Sequence, residues 1–339
     1  MQHRYIGKSG LRVSPICLGT MTFGDQSSED ESFKIMDKAY DDGVNFFDTA
    51  EVYPVPPNAE TGGRTEEIIG NWLKNKPRDS LIIASKVAGA ASGWFVPPTR
   101  HGLTAIDSFH INKAIDGTLK RLKTDYIDLY QVHWPDTIVE VEEALEALDL
   151  LVKSGKVRYI GISNERSYGL TKALYTSKNR GLKRYQSIQN NFSLLNRRDL
   201  DEVAEVCRRE QVSLLPYSPL AGGVLSGKYN AKIYPENARF TQYLQNNNPR
   251  IVTSAKRFLN EQTLKSTQKY MQIAKDSNMS VTTLAIAWSK QFDFIASTII
   301  GARSVTQLDD SLKAMDINLS KEILNACDAV HNEIKYPMG

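Results

Sequence analysis

The chain has 339 residues, 41% of them hydrophobic and 24% charged. That is ordinary globular composition, which excludes disordered, collagen-like and low-complexity classes. Lys and Arg number 42 against 39 Asp and Glu, and a formal charge of +3 with no basic run argues against nucleic acid or an anionic membrane as partner.

The elements alternate from the start. KSGLRVS, between Ile6 and Ile16, reads as a small β-hairpin. Short apolar, β-branched runs follow at 16–19, 45–50, 81–87, 126–133, 159–164, 187–192, 213–218 and 297–302. They lack clean two-residue alternation, as strands buried on both faces do. Between them lie helical patterns: one capped by Ser28 or Asp30 and reaching toward Gly43, then 66–72, 112–122, 141–153, 168–177, 199–210, 261–275 and 306–313. Gly43 and Gly155 fall where helix C-caps are expected. Eight strand-then-helix units in succession predict an α/β fold of the (β/α)8, or TIM-barrel, type. The expected additions are the N-terminal β-hairpin, a long loop after the seventh barrel strand and a C-terminal helix. The doubly wound rival lacks its dinucleotide signature, since GTMTFG (19–24), GAASG (89–93) and GGVLSG (222–227) do not spell GxGxxG. A barrel of about 250 residues leaves about 90 for insertions and tails, so residues 1–339 are expected to form one domain.

The segment after Ser218, AGGVLSGKYNAKIYPENARFTQYLQNNNPR, breaks the rhythm. Stretches of this length in compact domains are usually lids, binding loops or disordered. Cys17, Cys207 and Cys327 are far apart and odd in number, so no disulfide framework is indicated, and Cys17 is expected in the core. MQHRYIGKSG lacks the apolar segment of a signal peptide, and no apolar run approaches the ~18 residues of a membrane span, which leaves a reducing cytoplasm as the expected compartment.

Barrel chemistry sits at the C-terminal ends of the strands. The second barrel strand delivers Asp48 and Tyr53 there, the third Lys86 and the fourth His133 and Trp134. A lysine among apolar strands is costly unless paired, and Asp48 is the nearest partner. A tyrosine beside Lys86 would have its phenolate stabilised, drawing its pKa down from about 10. Such a phenol can protonate a carbonyl oxygen that is becoming an alkoxide, and His133 can add a hydrogen bond to that oxygen. A zinc or dinuclear metal hydrolase has little support, because acid ligands occur at one strand end only (Asp48, Glu51) and His133 is the only histidine at those ends.

DxxxxY (48–53), SK at 85–86, LYQVHWP (129–135), GISN (161–164), QNNFSLLNR (189–197), YSPLAGGVLSGKY (217–229) and IIGARSVTQL (299–308) together resemble the aldo-keto reductase superfamily over nearly the whole chain. AEVYPVPP (50–57) and the long loop resemble its bacterial Tas-like and potassium-channel β-subunit-like branches. The resemblance implies NADP(H) as cofactor and a small-molecule aldehyde or ketone as substrate. It makes Tyr53 the general acid, Lys86 and Asp48 its tuning pair and His133 the carbonyl-orienting group. Gly19, Thr20 and Met21 would line the cofactor, with Asp48 beside them. Asn164 and Gln189, with Ser163, would hold the nicotinamide carboxamide, and Tyr217 would stack on the ring. Ser218, Pro219, Leu220, Gly222 and Lys228 would fold over the pyrophosphate. Gly301, Arg303, Ser304 and Gln307 would take the adenine-ribose end, with Arg303 on the 2′-phosphate, since a guanidinium makes charge-assisted, often bidentate bonds to phosphate. Where many relatives read Glu-Asn after that Gln, this chain reads Asp309-Asp310-Ser311, so Asp310 stands in the place of an adenine contact. Trp94, Trp134, Tyr53 and His133 would line the substrate pocket. The β-subunit-like likeness carries a second reading, a nucleotide-bound regulatory or partner-binding subunit with incidental turnover. A homo-oligomer is left open.

Overall fold

The structure is a computed structural model that describes residues 2–89 and 104–338. Eight parallel strands form the barrel: β3 (Ile16–Gly19), β4 (Phe46–Asp48), β5 (Ile82–Val87), β6 (Ile127–Val132), β7 (Val157–Ser163), β8 (Tyr185–Asn191), β9 (Ser213–Tyr217) and β10 (Thr298–Gly301). They pair in the order β10-β3-β4-β5-β6-β7-β8-β9. The ring is drawn shut between its two ends where Leu214 donates to the carbonyl of Phe294 at 2.8 Å and accepts from Ala296 at 3.3 Å.

The hairpin ahead of the barrel, β1 (Arg4–Tyr5) with β2 (Arg12–Val13), is its floor. Ile6, Leu11 and Val13 pack into one cluster with Cys17, Phe46, Ala84, Leu129, Leu215 and Ile299, one apolar residue from each of six strands. Strand side chains alternate, so two residues further on the same strands present a second inward layer. That layer is polar: Asp48 on β4, Lys86 on β5 and Gln131 on β6, joined by Gln189 from β8. The register sets Lys86 opposite Gln131.

Helices cover the outside. Ser28 caps α1 (Glu29–Asp41) by accepting from Glu31 N, and Ile35, Met36 and Ala39 are its buried face. Then come α2 (Arg64–Leu73), α3 (Ser108–Leu122, capped by Asp107), α4 (Val141–Lys153), α5 (Ser167–Arg180) and α6 (Val203–Glu210). Gly43 and Gly155 adopt positive φ just past α1 and α4, as expected.

Two regions depart from the sequence reading. The stretch after β9 is not a plain loop but holds two 3-10 turns (Ala221–Ser226 and Lys228–Asn230), α7 (Arg239–Leu244) and α8 (Pro249–Phe258). Aromatic contacts knit it together, with Phe240 stacked on Phe258 at 5.0 Å and Tyr229 edge-on to Tyr234 at 5.5 Å. Helix α7, with six residues, shows too few turns for a period to register. The ten-residue α8 has Ile251 and Ala255 four apart on its buried face and was passed over within a segment read as loop. After α9 (Glu261–Asp276), α10 (Val281–Lys290) is buried at every position from Thr283 to Lys290, so it has no polar stripe to reveal it. The chain then runs through α11 (Asp309–Lys313) to the expected C-terminal helix α12 (Lys321–Glu333). Among the described residues no helix is long and apolar enough to cross a membrane.

Candidate active site

The polar layer centres on a charge pair. Lys86 is fully buried and Asp48 only 2% exposed. The Lys86 ammonium donates to Asp48 Oδ2 at 2.5 Å, to the Thr49 carbonyl at 2.8 Å and toward the Tyr53 hydroxyl at 3.5 Å. Burial opposes its charge, but Asp48 and then Tyr53 outweigh it, and the amine titrates above its ordinary value. The other carboxylate oxygen, Oδ1, accepts from Gln189 Nε2 at 2.8 Å and from Gln131 Nε2 at 3.2 Å.

Tyr53 stands on the turn after β4, packed with Ala50 and Val52 and flanked by Met21, Val55, Ala88 and Trp134. Its ring lies under the ammonium, 4.9 Å from ring centre to Nζ. The expected lowering of its pKa is not found. Burial, aided by Asp48, raises it further than Lys86 brings it down. The phenol is therefore held protonated at neutral pH. His133 meets Tyr53 edge-on at 5.6 Å and stacks on Trp134 at 3.8 Å. Burial first and Lys86 second push its imidazole well below its usual range, so it is neutral. Its Nδ1 is buried without a hydrogen-bond partner among the described residues.

A second group of expected residues meets at the same mouth. Asn164 takes a positive φ of 57° just past the end of β7. Its amide donates to the His133 carbonyl at 2.9 Å and to Ser163 Oγ at 3.2 Å, while its oxygen accepts from the Tyr217 hydroxyl at 2.7 Å. Ser163 Oγ donates to the Gln189 carbonyl at 2.7 Å. The Gln189 amide nitrogen is turned inward to Asp48 instead of toward Asn164. Thr20 Oγ1 donates to the Asp48 carbonyl at 2.9 Å, Gly19 pairs in register with Asp48, and the Met21 carbonyl accepts from Val55.

Beyond Tyr217 the backbone curls through successive positive-φ positions, Ser218, Ala221, Gly222, Gly223 and Gly227. Gly222 is required: a Cβ there would stand 2.3 Å from the Phe240 ring. Pro219 is buried and Leu220 half-buried in this curl, where the Leu220 carbonyl accepts from Gly223 and Leu225. The curl brings Lys228 near Arg239 and Arg303. Burial, Arg303 and Arg239 all depress the Lys228 ammonium, and burial leads the lowering of Arg239. Arg303 donates to the Asn237 carbonyl at 2.6 Å, and its own N–H is received by Gln307 at 3.0 Å. No acidic side chain of the described residues forms an ion pair with these three cations. Like charges gathered without a carboxylate fit a polyanionic group such as a dinucleotide phosphate. Gly301 ends β10 exposed, and Ser304 bonds Thr306 at 3.0 Å. Asp310 is drawn off to Lys313 at 3.1 Å, which turns its carboxylate to a partner outside the cation cluster.

Sequence reasoning missed Gln131 and Arg239. Gln131 had a signal, since it stands two residues before His133 on a buried strand and so shares its face. Arg239 had none, lying in the segment read as loop. Trp94 lies outside the described residues. Among the described residues no group of three or more His, Cys, Asp or Glu side chains is placed to hold a metal ion.

A parallel barrel with buried ionisable groups gathered where its strands end has the architecture of the (β/α)8 enzymes. The chain belongs to the Aldo/keto reductase family, whose profile matches residues 15–332. It is 39% identical to "Protein tas" of Escherichia coli K12, with 99% of each chain covered. It is 36% identical to "Uncharacterized oxidoreductase YrpG" of Bacillus subtilis 168, covering 96% of this chain and 94% of that one. It is 32% identical to a "Probable voltage-gated potassium channel subunit beta" of Oryza sativa, covering 97% and 96%. The protein is an oxidoreductase of a family that generally uses a nicotinamide cofactor.

Proposed function

We propose that the protein is an NADP(H)-dependent carbonyl reductase in which Tyr53 is the general acid. The observation that carries the reading is the meeting of Tyr53, Lys86, Asp48 and His133 in one buried cluster. When bound, the reduced nicotinamide supplies a hydride to the carbonyl carbon. Tyr53, protonated at neutral pH, gives its hydroxyl proton to the carbonyl oxygen. Lys86, 3.5 Å away, stabilises the phenolate left behind. Asp48 keeps Lys86 charged and in place. His133, neutral, offers an N–H to the same oxygen, and Trp134 braces its ring.

Asn164, Ser163 and Gln189 are the groups for the carboxamide, and Tyr217 offers a ring face to the nicotinamide. Gly19, Thr20 and Met21 border that face, and residues 218–228 border the pyrophosphate. Arg303, with Arg239 and Lys228 beside it, supplies charge for the 2′-phosphate, near Gly301 and Gln307. On this reading the whole chain is one catalytic domain, working in the cytoplasm on a small-molecule aldehyde or ketone.

The test is loss of reduced-cofactor absorbance with an activated aromatic aldehyde. Tyr53→Phe should slow turnover about a hundredfold or more while still binding NADPH by tryptophan fluorescence quenching. Equal turnover in the two proteins would remove Tyr53 from the role. A second reading, a nucleotide-bound regulatory subunit, draws support from the relative named a potassium-channel β subunit. It predicts very slow turnover and cofactor that survives gel filtration, and brisk multiple turnover would refute it.

A further inference from the structure

We propose that Gln131 is a positioning residue for this reaction, its side-chain amide fixing the Asp48 carboxylate so that Lys86 is shared with Tyr53. The proposal rests on the carbonyl-reductase reading above. Four facts carry it. Gln131 is fully buried in the polar layer of β6, in register with Lys86. Its Nε2 donates to Asp48 Oδ1 at 3.2 Å, and its Oε1 accepts from Gln189 Nε2 at 3.4 Å. Gln189 donates to the same Asp48 oxygen at 2.8 Å. Lys86 takes the other, Oδ2. The carboxylate is thus divided, with two amides on one oxygen and the ammonium on the other. The neighbouring strand packs closely here: a Cβ at Gly161 of β7 would stand 2.4 Å from Ser187 Oγ and 3.2 Å from Gln131 Cγ.

The division matters because Lys86 serves two masters. It touches Asp48 at 2.5 Å and Tyr53 at 3.5 Å. An amide donor on Oδ1 spreads the negative charge of Asp48 and weakens its hold on the ammonium. With that donor gone only Gln189 remains on Oδ1, and the carboxylate holds the ammonium more tightly and presents more negative potential to Tyr53. Both effects disfavour the phenolate. The other titratable groups facing this cluster are Cys17 on β3, His133 after β6 and Tyr217 on β9. Burial keeps the thiol and the Tyr217 phenol protonated and the imidazole neutral, so none offsets the change.

The experiment compares wild type, Gln131→Met and Gln131→Glu. Tyrosine labelled at its oxygen-bearing ring carbon reports Tyr53 ionisation by NMR, assigned by difference from Tyr53→Phe. Gln131→Met keeps the volume and removes the donor. Its Tyr53 midpoint should lie above that of wild type, and kcat should fall about tenfold with KM little changed. In Gln131→Glu a protonated carboxyl still donates to Asp48 and an ionised one repels it. Its turnover relative to wild type should therefore fall as pH rises. An unmoved Tyr53 midpoint in Gln131→Met overturns the proposal, as does a Gln131→Glu profile parallel to wild type at every pH. A joint loss of kcat, KM and cofactor affinity without a midpoint shift would make Gln131 merely structural and also overturns it. The two layers fail separately. If wild type reduces no carbonyl yet the midpoint moves, the positioning stands and the reductase reading falls. If wild type turns over and Gln131→Met matches it throughout, the reverse holds.

Discussion

Replacing Lys86 with Met would leave the Asp48 carboxylate inside the barrel with its two amide donors and no cation. Asp48 is 2% exposed, so water cannot take the place of the ammonium, and the Thr49 carbonyl loses its donor as well. Breaking a buried pair by removing one partner costs about 3–5 kcal/mol. Gln131 and Gln189 remain on Oδ1, which places the expected loss near the lower end, about 3 kcal/mol. The double variant Asp48→Asn, Lys86→Met removes both charges and keeps the volume. It should recover most of that loss, because a buried pair replaced by neutral groups of similar size is often near neutral. Lys86 titrates above its ordinary value in the fold, so its contribution is full below the unfolded value of about 10.4 and fades only as pH rises through the folded one. Urea unfolding followed by tryptophan fluorescence near neutral pH therefore reads the whole effect. A Lys86→Met protein within about 1 kcal/mol of wild type, or a double variant no more stable than the single, would refute the reasoning.

Arg239→Ala should weaken NADPH binding about ten- to a hundredfold and NADH binding much less, by fluorescence quenching, since one charge-assisted bond to phosphate is removed. An equal loss for the two cofactors would take Arg239 off the 2′-phosphate. Arg121→Met isolates Glu66, a fully buried carboxylate that Arg121 Nε meets at 2.7 Å and Ser85 at 2.5 Å. Burial raises the Glu66 carboxyl above its usual value, with Arg121 the largest opposing influence, so its ionisation works against folding. The variant should lose about 3 kcal/mol near pH 7.5 and less near pH 5, where the carboxyl takes up a proton. A deficit independent of pH in urea unfolding would contradict this.

Much of the fold was legible because the barrel repeats one rule. Strands such as β6 are apolar enough to be buried on both faces, and helices such as α1 carry both a cap and an apolar face. What escaped was mostly structure without contrast. Helix α10 is buried all round and α7 has only six residues, while the amphipathic α8 was passed over inside a segment read as loop. The catalytic candidates were legible because Asp48, Lys86 and His133 are costly in such strands unless they have work there. Their electrostatics were less so. The sign of the Tyr53 shift depends on how completely the phenol leaves water, which no spacing reveals. Gln131 was in view and passed over, since an amide announces no charge. Arg239 joins Lys228 and Arg303 only through the folding of the segment between them.

The hairpin floor has a consequence for the order of assembly. Residues 4–13 precede by 178 to 291 positions the groups that secure them. Gly7 N–H awaits Ser213 Oγ at 2.8 Å, Lys8 N–H awaits Gln186 at 2.9 Å, and the Arg4 guanidinium awaits the Ile295 carbonyl at 3.0 Å. The apolar cluster that holds Ile6, Leu11 and Val13 is complete only when strands as distant as β9 and β10 exist. Contacts of such separation form slowly, because the long intervening loop must be closed first. The hairpin is thus among the last parts of the fold to find its place.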